Sequence, residues 1–136
     1  MHISIGDVKL FFDIEGAKLV PDGRVMRERP TLVLLRGGPG LDDSSYKPSF
    51  SPLADVAQVV YLDHRGNGRS TGDVGTATME QWAADAAAVA RHVSDEPVIV
   101  IGHSYGGFIA QEMLISQPDA VRAAILVTTT PGQPGT

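Results

Sequence analysis

Short apolar runs separated by turn residues mark candidate strands along the chain. The segments Ile3 to Ile5 and Val8 to Glu15 flank the turn-forming pair Gly6-Asp7 and predict two antiparallel strands. The polar stretch from Gly16 to Pro30 is predicted to be a loop, because Pro21-Asp22-Gly23 within it presets a turn. Further runs are largely apolar: Thr31 to Leu35, Val56 to Leu62, Val98 to Ile101 and Ala123 to Val127. Such runs are typical of parallel strands buried on both faces.

A first helix is predicted from Thr78 to Val93. Its start is marked by Thr78 and Gln81, which have the spacing of a capping box. Its apolar stripe at helical spacing consists of Trp82, Ala86, Val89 and Val93. We therefore place Trp82 in the core, and Asp85 and Arg91 on the solvated face.

A second helix is predicted from Tyr105 to Ser116, and Pro118 ends it. Helices that alternate with strands after an antiparallel lead-in predict an α/β fold, with crossover connections covering both faces of the sheet.

Composition indicates one globular domain over residues 1–136. Hydrophobic residues make up 43% of the 136, which is enough to bury a core. The 11 basic and 16 acidic residues leave a net charge of −5, so we expect no nucleic-acid partner. The absence of cysteine excludes disulfides and a cysteine nucleophile. Because charges interrupt the N-terminal segment and the apolar runs are short, we expect a cytoplasmic protein with no membrane partner.

A G-x-S-x-G motif at Gly102 to Gly106, between an apolar strand and a helix, carries the clearest chemical signal. At such a place the chain turns sharply and holds an exposed serine at the end of the sheet. Ser104 is therefore a candidate nucleophile, with an ordinary turn serine as the alternative. The backbone N–H of Tyr105 is placed to stabilise an oxyanion. The glycine-rich loop after the first parallel strand offers Gly38 N–H as a second donor.

Three motifs, in this order and spacing, resemble those of a known family. They are GGPG at residues 37–40, DHRGNGRS at residues 63–70 and GHSYGG at residues 102–107. Together they resemble the proline iminopeptidase branch of the α/β-hydrolase fold, over the whole chain but only the first part of the family fold. The resemblance implies a mostly parallel sheet with antiparallel N-terminal strands, lacking the cap and the C-terminal strands. It also implies that Ser104 is the nucleophile, that Gly38 and Tyr105 form the oxyanion hole, and that Asp63 to Ser70 braces a turn outside the chemistry.

Two features depart from the family pattern. Arg36 stands where the family's oxyanion loop usually begins with histidine. No histidine follows Ser104, and Glu112 and Asp119 do not lie where the family places its acid. A serine without a base is a weak nucleophile, so we expect this chain alone to be nearly inactive and to need Asp and His from a missing C-terminal part. The final strand would then be an unprotected sheet edge.

Several other polar residues have structural interpretations. His103 cannot reach Ser104 as a base from the adjacent position in the turn, and it is predicted to be structural. Asp63 and His64 lack the spacing of a metal site, so no metal is expected. The glycines of residues 66–71 lack the third glycine of a dinucleotide loop, so no cofactor is expected either.

The predicted function is that of a serine hydrolase that acts on a small molecule or short peptide through an acyl-enzyme on Ser104. The family resemblance implies release of an N-terminal proline. An esterase, lactonase or amidase of the same fold is the close alternative. A different class of function is also open, that of a non-catalytic fragment that binds its missing complement.

Overall fold

The computed structural model describes residues 1–37, 46–75 and 77–131. Within these residues the strands are β1 (His2–Ile5), β2 (Val8–Glu15), β3 (Leu19–Asp22), β4 (Val25–Glu28), β5 (Thr31–Leu35), β6 (Gln58–Leu62), β7 (Val98–His103) and β8 (Val121–Val127). The main sheet has the order β1-β2-β6-β5-β7-β8. β2 pairs antiparallel with β1 and β6, whereas the β5–β6, β5–β7 and β7–β8 pairs are parallel. The predicted mostly parallel sheet with antiparallel N-terminal strands is confirmed.

The helices are α1 (Lys47–Phe50), α2 (Met79–Val93) and α3 (Tyr105–Ser116), within the described part of the chain. Short 3₁₀ turns follow α1 at Ser51–Asp55 and α3 at Pro118–Ala120. The hydroxyl of Thr78 accepts a hydrogen bond from Gln81 N at 3.1 Å and caps α2, as its spacing predicted. The α3 helix has the predicted bounds.

Apolar side chains alternate along the parallel strands and pack on both faces of the sheet. One face packs against α2 and α3 through residues that include Val33, Leu35, Val60, Leu62, Val98 and Val100. The other face packs against α1 and the 3₁₀ turn after it, through Leu32, Leu34, Val59, Tyr61 and Ile101. Both faces are covered, as predicted, and the two long helices share one of them. Trp82 is 7% exposed and packs in the core between the sheet and the helices α2 and α3, which confirms its predicted core position.

The predicted loop from Gly16 to Pro30 is wrong, because β3 and β4 form a two-stranded antiparallel hairpin within it. The turn predicted at Pro21-Asp22-Gly23 is present, because Gly23 lies between the two strands with a φ of +64°. However, the strands are four residues long, and β4 is exposed throughout, so no buried apolar face marks them in the sequence.

One edge of the main sheet is formed by β8, as predicted for the last apolar run. Its side chains Ile125, Leu126 and Val127 are exposed. No helix in the described ranges combines the length and the apolarity needed to cross a bilayer.

Candidate active site

Ser104 occupies the turn between β7 and α3, in a backbone conformation that is unusual for a residue with a side chain. Its φ is 53° and its ψ is −115°. Residues other than glycine seldom adopt positive φ, and those that do cluster at functional sites. The residue is exposed to solvent. The strand-to-helix turn therefore presents the Ser104 hydroxyl at the carboxyl end of β7.

The two glycines of the motif are required by close backbone packing. A Cβ on Gly102 would lie 2.6 Å from the carbonyl oxygen of Gly106. A Cβ on Gly106 would collide with the carbonyl oxygen of Leu35 at the end of β5. The start of α3 thus lies directly against β5, and only glycine fits at these two positions.

Backbone hydrogen bonds fix the turn and leave one amide open. Ser104 N–H donates to Val127 O on β8 at 2.9 Å, and Gly107 N–H donates to Ser104 O at 2.9 Å. Among the described residues, Tyr105 N–H has no hydrogen-bond acceptor. It lies at the first residue of α3, where the helix dipole also favours negative charge. This amide is therefore an open donor directly after Ser104.

The second predicted donor, Gly38, lies outside the described residues. Its neighbour Gly37 is buried against the turn that holds Ser104, since a Cβ on Gly37 would lie 2.9 Å from Ser104 Cβ. Gly37 N–H already donates to Tyr46 Oη at 2.9 Å, so this amide is engaged. Gly38 N–H remains the predicted second donor.

His103, the residue before Ser104, has a hydrogen-bond partner on another element. Its Nδ1 lies 2.7 Å from Tyr46 Oη, and the two rings meet edge to face with centroids 5.5 Å apart. This contact supports the structural role predicted for His103. Nothing in the sequence pointed to Tyr46, because its partners lie on other elements.

The Asp63 to Ser70 loop is held by its own side chains at the end of β6. The fully buried Asp63 carboxylate accepts a hydrogen bond from Arg69 N–H at 2.9 Å. Ser70 Oγ donates to Asp63 O at 2.5 Å. Arg36, which replaces the family's histidine, is buried with its Nε 3.8 Å from Asp63 Oδ1. These contacts support the bracing role that the resemblance implied for this loop.

His64 is buried next to this ion pair and is neutral. Burial lowers its pKa to about 3, and the positive charge of Arg36 lowers the pKa in the same direction. A neutral, buried imidazole supports the structural role predicted for His64. Within the described part of the chain, no group of three histidine or carboxylate side chains could hold a metal ion.

Asp85 does not lie on the solvated face of α2, so that prediction is wrong. Its side chain is 1% exposed and is paired with Arg65 of the loop after β6. The signal that could have identified it is its spacing of three residues from Trp82, which places both on one face of the helix. Arg91 is exposed, as predicted.

Known proteins resemble this chain over most of its length. The proline iminopeptidase PfmaB of Pestalotiopsis fici is 35% identical over 125 residues, which cover 89% of this chain and 44% of that protein. RutD of Azorhizobium caulinodans, named as a carbamate hydrolase, is 33% identical over 122 residues, covering 90% of this chain and 42% of that protein. A thermophilic esterase of Thermogutta terrifontis superposes with a TM-score of 0.78 and 26% identity, covering 98% of this chain and 48% of that structure.

The chain thus spans less than half the length of each of these proteins. The family model described as the alpha/beta hydrolase fold matches residues 30–135, which include β5 to β8, Ser104 and α3. With the serine turn, the sheet order and this match in agreement, the chain belongs to the α/β-hydrolase fold family.

Proposed function

We propose that the chain carries the nucleophile of a serine hydrolase that releases an N-terminal proline or a similar small acyl group. The observation that carries this proposal is the exposed Ser104 at a φ of 53°, followed directly by the open N–H of Tyr105. An ordinary turn serine has no need of this strained conformation or of the glycines packed around it.

In the proposed reaction, Ser104 Oγ attacks the carbonyl carbon of the substrate and loses its proton to a base. The carbonyl oxygen becomes an oxyanion that accepts hydrogen bonds from Tyr105 N–H and Gly38 N–H. Collapse of this intermediate expels the amine or alcohol with a proton, and water then hydrolyses the acyl-enzyme. Loss of one such donor costs about 10²–10³ in rate, so both amides contribute strongly.

The base and the acid that orients it are proposed to come from residues outside this chain. No histidine follows Ser104 in the sequence. The nearest histidine along the chain, His103, has its Nδ1 directed to Tyr46. A hydrolase that lacks triad members retains only about 10³–10⁴-fold acceleration over water, so weak activity is expected of this chain alone.

The proline iminopeptidase assignment is supported by the three motifs and by the likeness to PfmaB. An esterase or amidase is the second candidate, favoured by the likeness to the Thermogutta esterase and to RutD. These activities share the turn that holds Ser104 and differ in the leaving group of the substrate. A test of Ser104 alone therefore does not distinguish them, whereas a comparison of substrates does.

Fluorophosphonate labelling of the purified protein tests the nucleophile. Ser104→Ala should abolish labelling, whereas Ser116→Ala, at the exposed end of the same helix, should leave it unchanged. Equal labelling of wild type and Ser104→Ala would remove Ser104 from its proposed role. Faster hydrolysis of proline 4-nitroanilide than of 4-nitrophenyl acetate would favour the peptidase. Faster hydrolysis of 4-nitrophenyl acetate would favour the esterase.

The same experiment tests the alternative that the chain is a non-catalytic fragment. This alternative predicts neither labelling nor turnover. Turnover by the 136-residue chain at the rate of an ordinary enzyme would therefore rule it out. An Asp and a His encoded after Thr136, in that order, would favour the enzyme.

A further inference from the structure

We infer that Tyr46 is a positioning residue for Ser104, and that its hydroxyl sets the distance between the oxyanion loop and the nucleophile turn. This inference rests on the proposed function. Tyr46 Oη is 2.9 Å from Gly37 N and 2.7 Å from His103 Nδ1. Gly37 lies one residue before the predicted donor Gly38, and His103 lies one residue before Ser104. One hydroxyl therefore joins the two segments that must meet at the reacting carbonyl.

The link consists of two hydrogen bonds at the Tyr46 hydroxyl, and each has a donor and an acceptor. A tyrosine hydroxyl has one proton and can accept hydrogen bonds. Gly37 N–H can only donate, so it uses an acceptor site of Tyr46 Oη. In the proposed link, the hydroxyl proton is directed to His103 Nδ1, the other partner of Tyr46 among the described residues. The proposal therefore requires the His103 tautomer with its proton on Nε2, and the link runs from Gly37 N–H through Tyr46 to His103.

Tyr46 has a fixed position from which to make this link. Its carbonyl oxygen accepts hydrogen bonds from Ser49 N and Phe50 N, at 3.1 Å and 2.9 Å, where α1 begins. Its ring packs on the sheet core beneath α1, next to Phe50. Lys47 forms an ion pair with Asp13 on β2, which holds α1 against the strands.

The contact that the link holds in place is close. A Cβ on Gly37 would lie 2.9 Å from Ser104 Cβ and 3.0 Å from His103 O, so Gly37 already lies against the turn that holds Ser104. Without the Tyr46 hydroxyl, the buried Gly37 N–H loses its acceptor, and Gly37 must shift to find another. A displacement of about 1 Å at an oxyanion donor can cost about 100-fold in rate. Tyr46 therefore acts through Gly37 and His103, without touching the substrate.

Two measurements on Tyr46→Phe test this inference. The first is the ¹⁵N NMR spectrum of the His103 imidazole, which should show Nδ1 unprotonated and Nε2 protonated in wild type, and a mixture of tautomers in the variant. The second is the rate of Ser104 labelling by a fluorophosphonate, which should fall about 10- to 100-fold in the variant. His103→Leu removes the other end of the link and should slow labelling to a similar extent, and the double variant should be no slower than either single variant.

Ser51→Ala is the matched control. Ser51 is the residue directly after α1, and its hydroxyl donates to Glu15 on β2 at 2.8 Å. Removing this hydroxyl loosens the segment that carries Tyr46 and leaves the hydrogen bonds of Gly37 and His103 in place. The control should label at the wild-type rate. Equal slowing by Ser51→Ala, or a protonated Nδ1 in wild type, would overturn the inference. If wild type is not labelled at all, the proposed function fails, and the His103 spectrum alone decides whether the Tyr46 link exists.

Discussion

Arg65 and Asp85 form a two-pronged ion pair between the loop after β6 and the middle of α2. Arg65 donates to the Asp85 carboxylate from Nε at 2.8 Å and from Nη2 at 2.9 Å. Gln81 donates to the same carboxylate at 3.0 Å. The hydrogen bond with Asp85 raises the pKa of Arg65 above its usual range, so Arg65 stays charged. The ion pair therefore attaches the Asp63 to Ser70 loop to α2.

Asp85→Asn should lower the free energy of unfolding by about 3 kcal/mol, because the guanidinium of Arg65 would keep its partly buried position without a counter-charge. Urea denaturation at neutral pH measures the effect. Glu80→Gln, at an exposed position on the same helix, should change the free energy of unfolding by less than about 1 kcal/mol. Equal losses in the two variants would mean that the ion pair adds nothing beyond a surface charge.

His64 should make the stability of the fold depend on pH. The folded protein keeps this group neutral, with a pKa of about 3, whereas an unfolded histidine titrates near pH 6.5. The unfolded chain therefore binds an extra proton between these values, and stability that is complete above pH 6.5 is lost as the pH falls toward 3. Between pH 7 and pH 5 this histidine alone should lower the free energy of unfolding by about 2 kcal/mol.

The comparison of two histidine variants isolates that contribution. His64→Leu should reduce the loss of stability between pH 7 and pH 5 by about 2 kcal/mol, whatever other groups titrate. His92→Gln, which replaces an exposed histidine on α2, is the control for the loss of a histidine as such. The same pH dependence in His64→Leu and wild type would show that His64 is solvated in the folded protein.

Elements with a buried apolar face could be predicted from the sequence, and elements without one could not. The α2 helix was predicted from its apolar stripe at helical spacing, and β5 from an unbroken apolar run that is buried along its whole length. The β3–β4 hairpin was missed because β4 buries no side chain. Its existence depends on backbone pairing with β3, which leaves no apolar signal.

The same distinction applies to the candidate site. Ser104 and Tyr105 could be predicted as site residues because a local motif on one turn carries them, and their chemical roles stay predictions. Tyr46 was missed because its hydroxyl meets His103 across 57 residues of chain, and Asp85 because its partner lies 20 residues away on a loop. Pairings of this kind are set by the tertiary packing of α1 and α2, which single-sequence periodicity does not contain.

The exposed edge of the sheet should drive self-association. Ile125 on β8 is 50% exposed, and β8 has a strand partner only on its β7 side within the described sheet. Ile125→Lys should shift the protein toward monomer in sedimentation velocity, because a lysine on an edge strand opposes pairing with another edge. Ile115→Lys, at a position on α3 that is 76% exposed, is the control and should have a smaller effect. Equal effects would indicate general apolar contact in place of edge pairing.

A diffusible base should accelerate the reaction of Ser104. His64 is neutral but buried, His103 has its Nδ1 directed to Tyr46, and no histidine follows Ser104 in the sequence. A positioned base supplies roughly 10²–10⁴ in rate, and free imidazole should restore a small part of this, about 10-fold. Fluorophosphonate labelling should therefore rise with imidazole concentration, and Ser104→Ala should give no labelling at any concentration. A labelling rate that is independent of imidazole would mean that a base within these 136 residues already serves Ser104, which would contradict the proposal that the base lies elsewhere.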